Sequence, residues 1–535
     1  MPVSYSANQI RNEDLYNKWD NIPDSTFKKL RITLNEFKKL QDKLNGWIVL
    51  PGDAAYNKDR MLANPRFDYF PLAIVYCVSI SDVRLTLLFV QQENAEFCVR
   101  SGGHCTAGFS SGPGILIDVS HLNGISVDAA ARTATVGCGV KFGDLDNTLD
   151  LYGLNVPGGE CPDVCVGGYV QGGGYGFTSC TFGMSCDNVI SMTVLLANGD
   201  IVQASATQNF DLWWAMRGGT GGNFGILLSL TYQLYELTDV YGFALLWPLG
   251  TDADASNAAD VMMKLQESYM FNSPYDPNLN LQVSLAYQSK IHDNEPNGDF
   301  KPYFLVRGCY VGDPADGANA IRPLQQLAGC ITQWQKSLRF NKMNQYLLDH
   351  PQKMPALSNP VYEDKVSRYV SEMLDHETWK QILSYFPSSQ VNRSYGYLEF
   401  YGGQIKQDTL NCFMHRNVAY NAVMDVFWYD DVEREKSEAF LEGWKQLLEP
   451  VWNGHVYQNY PSSNDPNYAF QYWGDYVDAL SRVKAKYDPG NVFRFAQQVP
   501  MYSGPVDAKL ASGDYPPELP AALAEGIDYQ YGSKA

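Results

Sequence analysis

A chain of 535 residues carrying a net charge of −19 is too acidic to expect a nucleic-acid or anionic-membrane partner, since both need basic surface. Its apolar share of 45% and charged share of 19% are ordinary for a globular protein, and the length allows two or three domains around a sizeable core. No apolar run reaches the roughly eighteen residues of a spanning helix, so no membrane segment is expected.

In chain order, residues 1–64 read as a polar, helical lead-in, with a helix expected over Thr26–Leu44. The first residues, Met1-Pro-Val-Ser-Tyr-Ser, lack the basic-then-apolar layout of a signal peptide. A cytoplasmic location is therefore expected, or a secreted one if a signal had been removed. From 65 to 245 the texture changes to short β-branched runs, such as Ala73–Ser79, Gly114–Val119, Ala134–Gly137 and Ser191–Leu196. Helical stretches at Val83–Glu93 and Lys141–Tyr152 alternate with them, which predicts an α+β domain. From 246 to 455 longer helical segments (Ala255–Tyr269, His376–Tyr385, Val432–Trp452) alternate with strand-like runs (Asn278–Ser289, Tyr303–Tyr310, Tyr395–Tyr401, Val418–Trp428). That pattern predicts an antiparallel sheet covered by helices. Residues 456–500 form a separate closing segment with a helix over Tyr472–Tyr487, and 501–535, rich in Pro, Gly and Ala, form an irregular tail. The eleven cysteines are an odd number in a long chain, which argues for buried thiols rather than a disulfide framework.

Three glycine-rich blocks fall within the 65–245 segment: Arg100-Ser101-Gly102-Gly103-His104, then Gly167-Gly-Tyr-Val-Gln-Gly-Gly-Gly-Tyr-Gly176, then Arg217-Gly-Gly-Thr-Gly-Gly-Asn-Phe-Gly225. Glycine lets backbone approach a ligand closely, and successive N–H groups in such turns form concavities for phosphate oxygens. Tight loops without a ligand would explain one block; three point to a large anionic cofactor. Neither a Gly-x-x-x-x-Gly-Lys-[Ser/Thr] loop nor a strand–Gly-x-Gly-x-x-Gly–helix unit occurs, which disfavours an NTPase or a dinucleotide domain of the usual kind.

Together with Pro157-Gly-Gly-Glu-Cys161-Pro-Asp-Val-Cys165-Val-Gly-Gly168 and Tyr457-Gln-Asn-Tyr460, these blocks resemble the berberine-bridge-enzyme-like family of vanillyl-alcohol-oxidase-type (PCMH-type) FAD-linked oxidases. The resemblance runs from about 65 to 500. It implies a two-part FAD-binding domain, and a flavin attached twice, through a histidine and a cysteine. By position these are His104 and Cys165, with Cys161 outside the attachment position. It further implies that Arg100, Ser101, Gly102, Gly103, Gly159, Val164, Gly167, Gly168, Gly172, Gly173, Gly174, Gly176, Asn223, Gly225 and Asn459 bind the cofactor. No metal is expected.

A flavin that takes hydride from a carbinol carbon needs a base for the hydroxyl proton. By resemblance Tyr460 is that base, although Pro461-Ser-Ser-Asn-Asp465 departs from the family's usual continuation with an acidic residue. In Tyr395-Gly-Tyr-Leu-Glu399-Phe-Tyr-Gly-Gly403, period two places Tyr395, Tyr397, Glu399 and Tyr401 on one strand face. Glu399 is expected to act as a hydrogen-bond acceptor that orients or relays the phenolic proton. Tyr395, Tyr397, Tyr401, Asn421, Asp425 and Tyr457 are expected to face substrate. The motifs look closest to hexose and oligosaccharide oxidases, implying a small-molecule alcohol substrate, dioxygen as acceptor and hydrogen peroxide as product, in a monomer or homodimer. A tailoring oxidase of secondary metabolites, an oxygen-unreactive dehydrogenase and a flavin-retaining storage protein are the alternatives. The coincidence of His104, Cys165 and Tyr460 argues against the last.

Overall fold

The computed structural model describes residues 7–23, 32–271, 276–348, 353–358, 360–407 and 409–504. Within the lead-in, helices run over Ala7–Trp19 and Leu34–Gln41. The second begins at a capping box, Thr33 accepting from the Glu36 N–H and the Glu36 carboxylate from the Thr33 N–H, and is the helix found among the described residues of the expected Thr26–Leu44 span. Part of that expectation, and the tail from 505, lie outside the described residues.

Two sheets make up the first half. Strands β1 (Trp47–Val49), β2 (Ala73–Tyr76), β3 (Phe97–Arg100) and β4 (Ile115–Asp118) lie in the order β1-β2-β4-β3, with β2 and β3 parallel to β4. An antiparallel sheet follows from β5 (Ile125–Asp128), β6 (Thr133–Gly137), β8 (Val189–Leu195), β9 (Ile201–Ser205) and β10 (Ile226–Gln233), ordered β5-β6-β10-β8-β9. The strand β7 (Leu154–Asn155) pairs only with β11 (Tyr235–Glu236). One core cluster runs through both sheets and on into the closing segment.

The second half is one antiparallel sheet of seven strands: β12 (Asp239–Pro248), β13 (Leu279–Gln288), β14 (Lys301–Tyr310), β15 (Ile331–Arg339), β16 (Tyr362–Val370), β17 (Tyr395–Phe400) and β18 (Tyr420–Trp428), in the order β15-β12-β14-β13-β17-β18-β16. The helices Asp252–Leu265, His376–Tyr385 and Asp431–Leu448 pack their apolar stripes on it through a second core that includes Trp379 and Trp444. Its other face is polar. Arg307, Gln282, Glu399 and Asn421 stand directly opposite one another across four neighbouring strands. A sheet buried on both faces with one polar row is the pattern of a sheet that walls a site.

The helix expected at Tyr472–Tyr487 is broken into Tyr468–Trp473 and Val477–Tyr487 by Gly474, whose φ of +47° lies in the left-handed region. Two buried ion pairs tie the closing segment and the second sheet to the first half. Lys484 and Asp488 are both fully buried and 3.2 Å apart, and the Lys484 ammonium also donates to the carbonyls of Asn223 and Phe493 at 2.9 and 2.7 Å. Arg416 grips the Asp187 carboxylate with both terminal nitrogens, at 2.6 and 2.8 Å. All eleven cysteines are free thiols. Among the described residues no helix is long and apolar enough to cross a membrane.

Removing one partner of a fully buried pair leaves the other charge without compensation. Lys484→Met is therefore expected to cost about 3–5 kcal/mol, read as an earlier thermal unfolding transition, whereas replacing the half-buried Lys445 of the surface Lys445–Glu442 pair should cost under about 1 kcal/mol.

Candidate active site

Between the first half and the polar face of the seven-stranded sheet lies a cavity of about 610 Å³. All three glycine blocks open onto it. Gly102 lies against Cys165, close enough that a Cβ on Gly102 would stand 3.0 Å from the Cys165 nitrogen, so the first two blocks converge there. Ser101, Gly102, Gly103, His104, Gly159, Val164, Cys165, Gly167, Gly168, Gly225 and Asn459 line the cavity.

Other predicted residues serve at one remove. Arg100 does not reach the cavity; it is buried and bonded to Asp118 at 2.6 Å, and braces the first loop from behind. Gly172 makes room for Asn459, whose Oδ1 a Cβ would meet at 2.0 Å. Gly173 and Gly174 have φ values of +122° and +94° and turn the chain where a side chain would be strained, while Gly176 abuts the Gly158 carbonyl. The Asn223 side chain donates to the Gly219 carbonyl at 3.0 Å and accepts from the Val499 N–H at 2.7 Å, holding the third block to the closing segment.

On the sheet side, Tyr395, Tyr397, Glu399, Asp425, Tyr457 and Tyr460 line the cavity. Tyr460 donates to Glu399 Oε1 at 2.7 Å, which joins the two residues picked for proton transfer. Burial pushes the Glu399 carboxyl up to about 7, in spite of the hydrogen bonds from Tyr460 and Asn421. Burial and then the charge of Glu399 hold the Tyr460 phenol well above its ordinary value, so it rests protonated.

Two predicted substrate contacts are corrected. Asn421 is buried and lies beneath Glu399, donating to its Oε2 at 3.0 Å and accepting from Ser367 at 2.6 Å. Tyr401 falls just past the end of β17 and is buried in a stack on Tyr175, with its hydroxyl 3.0 Å from that of Tyr369. His415 is buried beside Tyr369 and hydrogen-bonded to the Tyr472 carbonyl. Sequence reasoning missed the cations Arg307 and Lys365 on the cavity wall. Arg307 donates to Glu160, Gln282 and Tyr395, and Lys365 lies between Glu363 and Asp425. Neither cation sits in a recognisable motif; only sheet register brings them together.

The cavity suits a long ligand with an anionic centre. At the glycine end, Ser110 lines it with a buried hydroxyl that has no partner in the protein, a donor free for an oxygen of the ligand. Comparison with known proteins accords with this. Residues 71–205 match the family model of the FAD binding domain, and residues 456–500 match that of the berberine and berberine-like segment. The chain thus carries an FAD binding domain and a berberine-like segment. An uncharacterized FAD-linked oxidoreductase of Bacillus subtilis, YgaK, is 26% identical over 86% of this chain and 97% of its own. A carbohydrate oxidase of Microdochium nivale is 27% identical over 84% of this chain and 92% of its own. Among solved structures, the wild-type BBE-like 1 protein of Physcomitrella patens superposes with a TM-score of 0.74 at 24% identity, over 88% of this chain and the whole of that one. The α+β fold of this flavoprotein is thus the PCMH type.

Asn459 holds its place by donating to the Tyr169 carbonyl and to the Tyr457 hydroxyl, at 2.9 and 3.0 Å. A methyl group on Gly172 would evict it. Gly172→Ala is expected to destabilise the fold by about 1–3 kcal/mol and to lower the flavin content of the purified protein, read as the ratio of visible to ultraviolet absorbance.

Proposed function

We propose that this flavoprotein oxidises a CH–OH group of a carbohydrate or oligosaccharide, with Tyr460 and Glu399 moving the hydroxyl proton. The hydrogen bond from Tyr460 to Glu399 carries this reading. A phenol that rests protonated takes up a second proton only if it gives its own away. Glu399 is built to receive it: buried, anchored by Asn421, and with an affinity for protons matched to neutral pH. As the substrate hydroxyl loses its proton to the Tyr460 oxygen, the proton already on Tyr460 passes to Glu399 Oε1. When bound, FAD supplies the hydride acceptor for the carbinol carbon and hands the electrons to dioxygen, giving hydrogen peroxide. Tyr395, Tyr397 and Asp425 offer ring faces and acceptors for a polyhydroxylated substrate, in keeping with the carbohydrate oxidase among the relatives.

For the cofactor we propose two covalent attachments, one of them through His104. For the second, two observations favour Cys161 over the Cys165 chosen on motif. Cys165 is 4% exposed and its thiol faces the Gly139 carbonyl at 3.3 Å, whereas Cys161 stays partly exposed on the cavity wall.

Four variants separate these roles. Tyr460→Phe should keep a yellow protein but slow anaerobic flavin bleaching by glucose-terminated oligosaccharides about 10²–10⁴-fold. In wild type the bleaching rate should rise with pH through about 7, because Glu399 accepts a proton only when ionised, and Glu399→Gln should abolish that limb. An unchanged limb in Glu399→Gln would remove Glu399 from the relay. On a denaturing gel, flavin fluorescence should stay with the wild-type and His104→Ala/Cys165→Ala bands and vanish from the His104→Ala/Cys161→Ala band; the reverse outcome for the two double variants would restore the motif assignment.

A further inference from the structure

Lys365 lies outside every motif and outside the proton relay, yet it is the cation nearest to Tyr460 among those described. β16 and β18 are antiparallel neighbours, and their register sets Lys365 directly opposite Asp425, which in turn stands opposite Tyr395 on β17. The Lys365 ammonium is 3.2 Å from Asp425 Oδ2 and 3.3 Å from Glu363 Oε1. Held from both sides, a chain that would otherwise reach for solvent is only 12% exposed and points across the cavity. Its nitrogen sits 4.6 Å from the centre of the Tyr460 ring and 6.0 Å from that of Tyr397.

We propose that Lys365 is a positioning residue for Tyr460: its ammonium, aligned by Asp425 and Glu363, stabilises negative charge on the phenol ring while Tyr460 exchanges protons with Glu399. The proposal rests on the reading of Tyr460 as the proton-transfer group. Its physical ground is independent of substrate. A cation over an aromatic face is attracted by the π density, and more strongly once a phenol oxygen feeds charge into the ring. Burial and the Glu399 carboxylate both oppose that charge, and Tyr397 and Tyr457 add to the opposition. Lys365 is the compensating group. Burial alone would strip its proton, but Asp425, Tyr397 and Glu363 outweigh burial and keep it charged. The surrounding ionisable groups include Glu363 and Lys365 on β16, Asp425 on β18, Tyr395, Tyr397 and Glu399 on β17, His104 and Cys161 from the cofactor loops, and Tyr457 beside Tyr460, with Glu160 acting on Glu399 and Arg307 bonded to Tyr395. Asp425 opposes Lys365 in this balance, so the two should act on the phenol with opposite sign.

The test needs no substrate. The flavin-loaded protein is prepared with 3,5-difluorotyrosine at position 460, whose phenol is more acidic than that of tyrosine, and its ionisation is followed by ¹⁹F NMR against pH. Lys365→Met should raise the midpoint by about one pH unit, Lys365→Arg should leave it near wild type, and Asp425→Asn should lower it. A purely structural lysine would not produce shifts of opposite sign. Equal midpoints in wild type, Lys365→Met and Asp425→Asn would overturn the proposal. If Lys365→Met does not retain flavin, an Asp425→Asn midpoint equal to or above that of Lys365→Arg overturns it instead. Failure of the underlying reading looks different: Tyr460→Phe would then bleach at a near-normal rate, whatever the ¹⁹F midpoints.

Discussion

A closed circuit of hydrogen bonds holds the proton-transfer pair in register. Tyr460 donates to Glu399, Asn421 donates to the other oxygen of the same carboxylate, Ser367 donates to Asn421, and the Tyr457 N–H donates to Ser367. The Tyr460 N–H bonds back to the Tyr457 carbonyl and closes the ring. One turn of the closing segment is thereby locked to three strands of the sheet. Every polar atom in the circuit is matched, which is what allows a carboxyl to sit almost fully buried at the edge of a cavity. Loosening any member would let the phenol drift from its partner, and proton transfer depends steeply on that distance.

The rest of the molecule keeps the two ends of that circuit still. The Arg416–Asp187 pair fixes the chain leading into β18 to the first half, and Thr409 and Asn411 share the same carboxylate. The Lys484–Asp488 pair fixes the closing segment to the third glycine block. Buried pairs contribute little net stability against a well-packed apolar alternative, but they are intolerant of misalignment. Here they set one relative placement of the glycine loops, the sheet and the tyrosine, so the cavity between them keeps its shape.

The parts that were legible in the sequence are those whose signal is local. His104, the glycine blocks and Tyr460 sit in compact motifs, and Glu399 follows from period two along one strand. Parity also ran true for Asn421 and Asp425, but it says nothing of height along the strand. Asn421 falls under Glu399, and Asp425, four residues on, reaches the open cavity. Tyr401 was lost because the strand ends at Phe400, where the chain turns into Gly402 and Gly403. Gly172 and its neighbours were read as ligand-facing when they chiefly admit Asn459 and a tight turn, because a glycine signals close approach without saying of what. Lys365 left no trace. Its meaning comes from pairing with a strand some sixty residues away and from a tyrosine nearly a hundred residues away, and register at that range is not written in composition or spacing.

The chain order of these parts has a further consequence for biosynthesis. The wall carrying His104 is completed early, but Thr106 bonds to the Pro461 carbonyl, and the Asn223 carbonyl waits for Lys484. A ribosome making on the order of 5–20 residues per second emits the first half and the sheet well before the residues that close them. Until then the cofactor pocket stands open along one side, with the acceptor Glu399 in place and no phenol to serve it. Stable flavin capture is therefore a late event in the life of the nascent chain, and a nonsense mutation between Trp428 and Tyr457 would yield a polypeptide that has every strand of the sheet and none of the proton relay's lock.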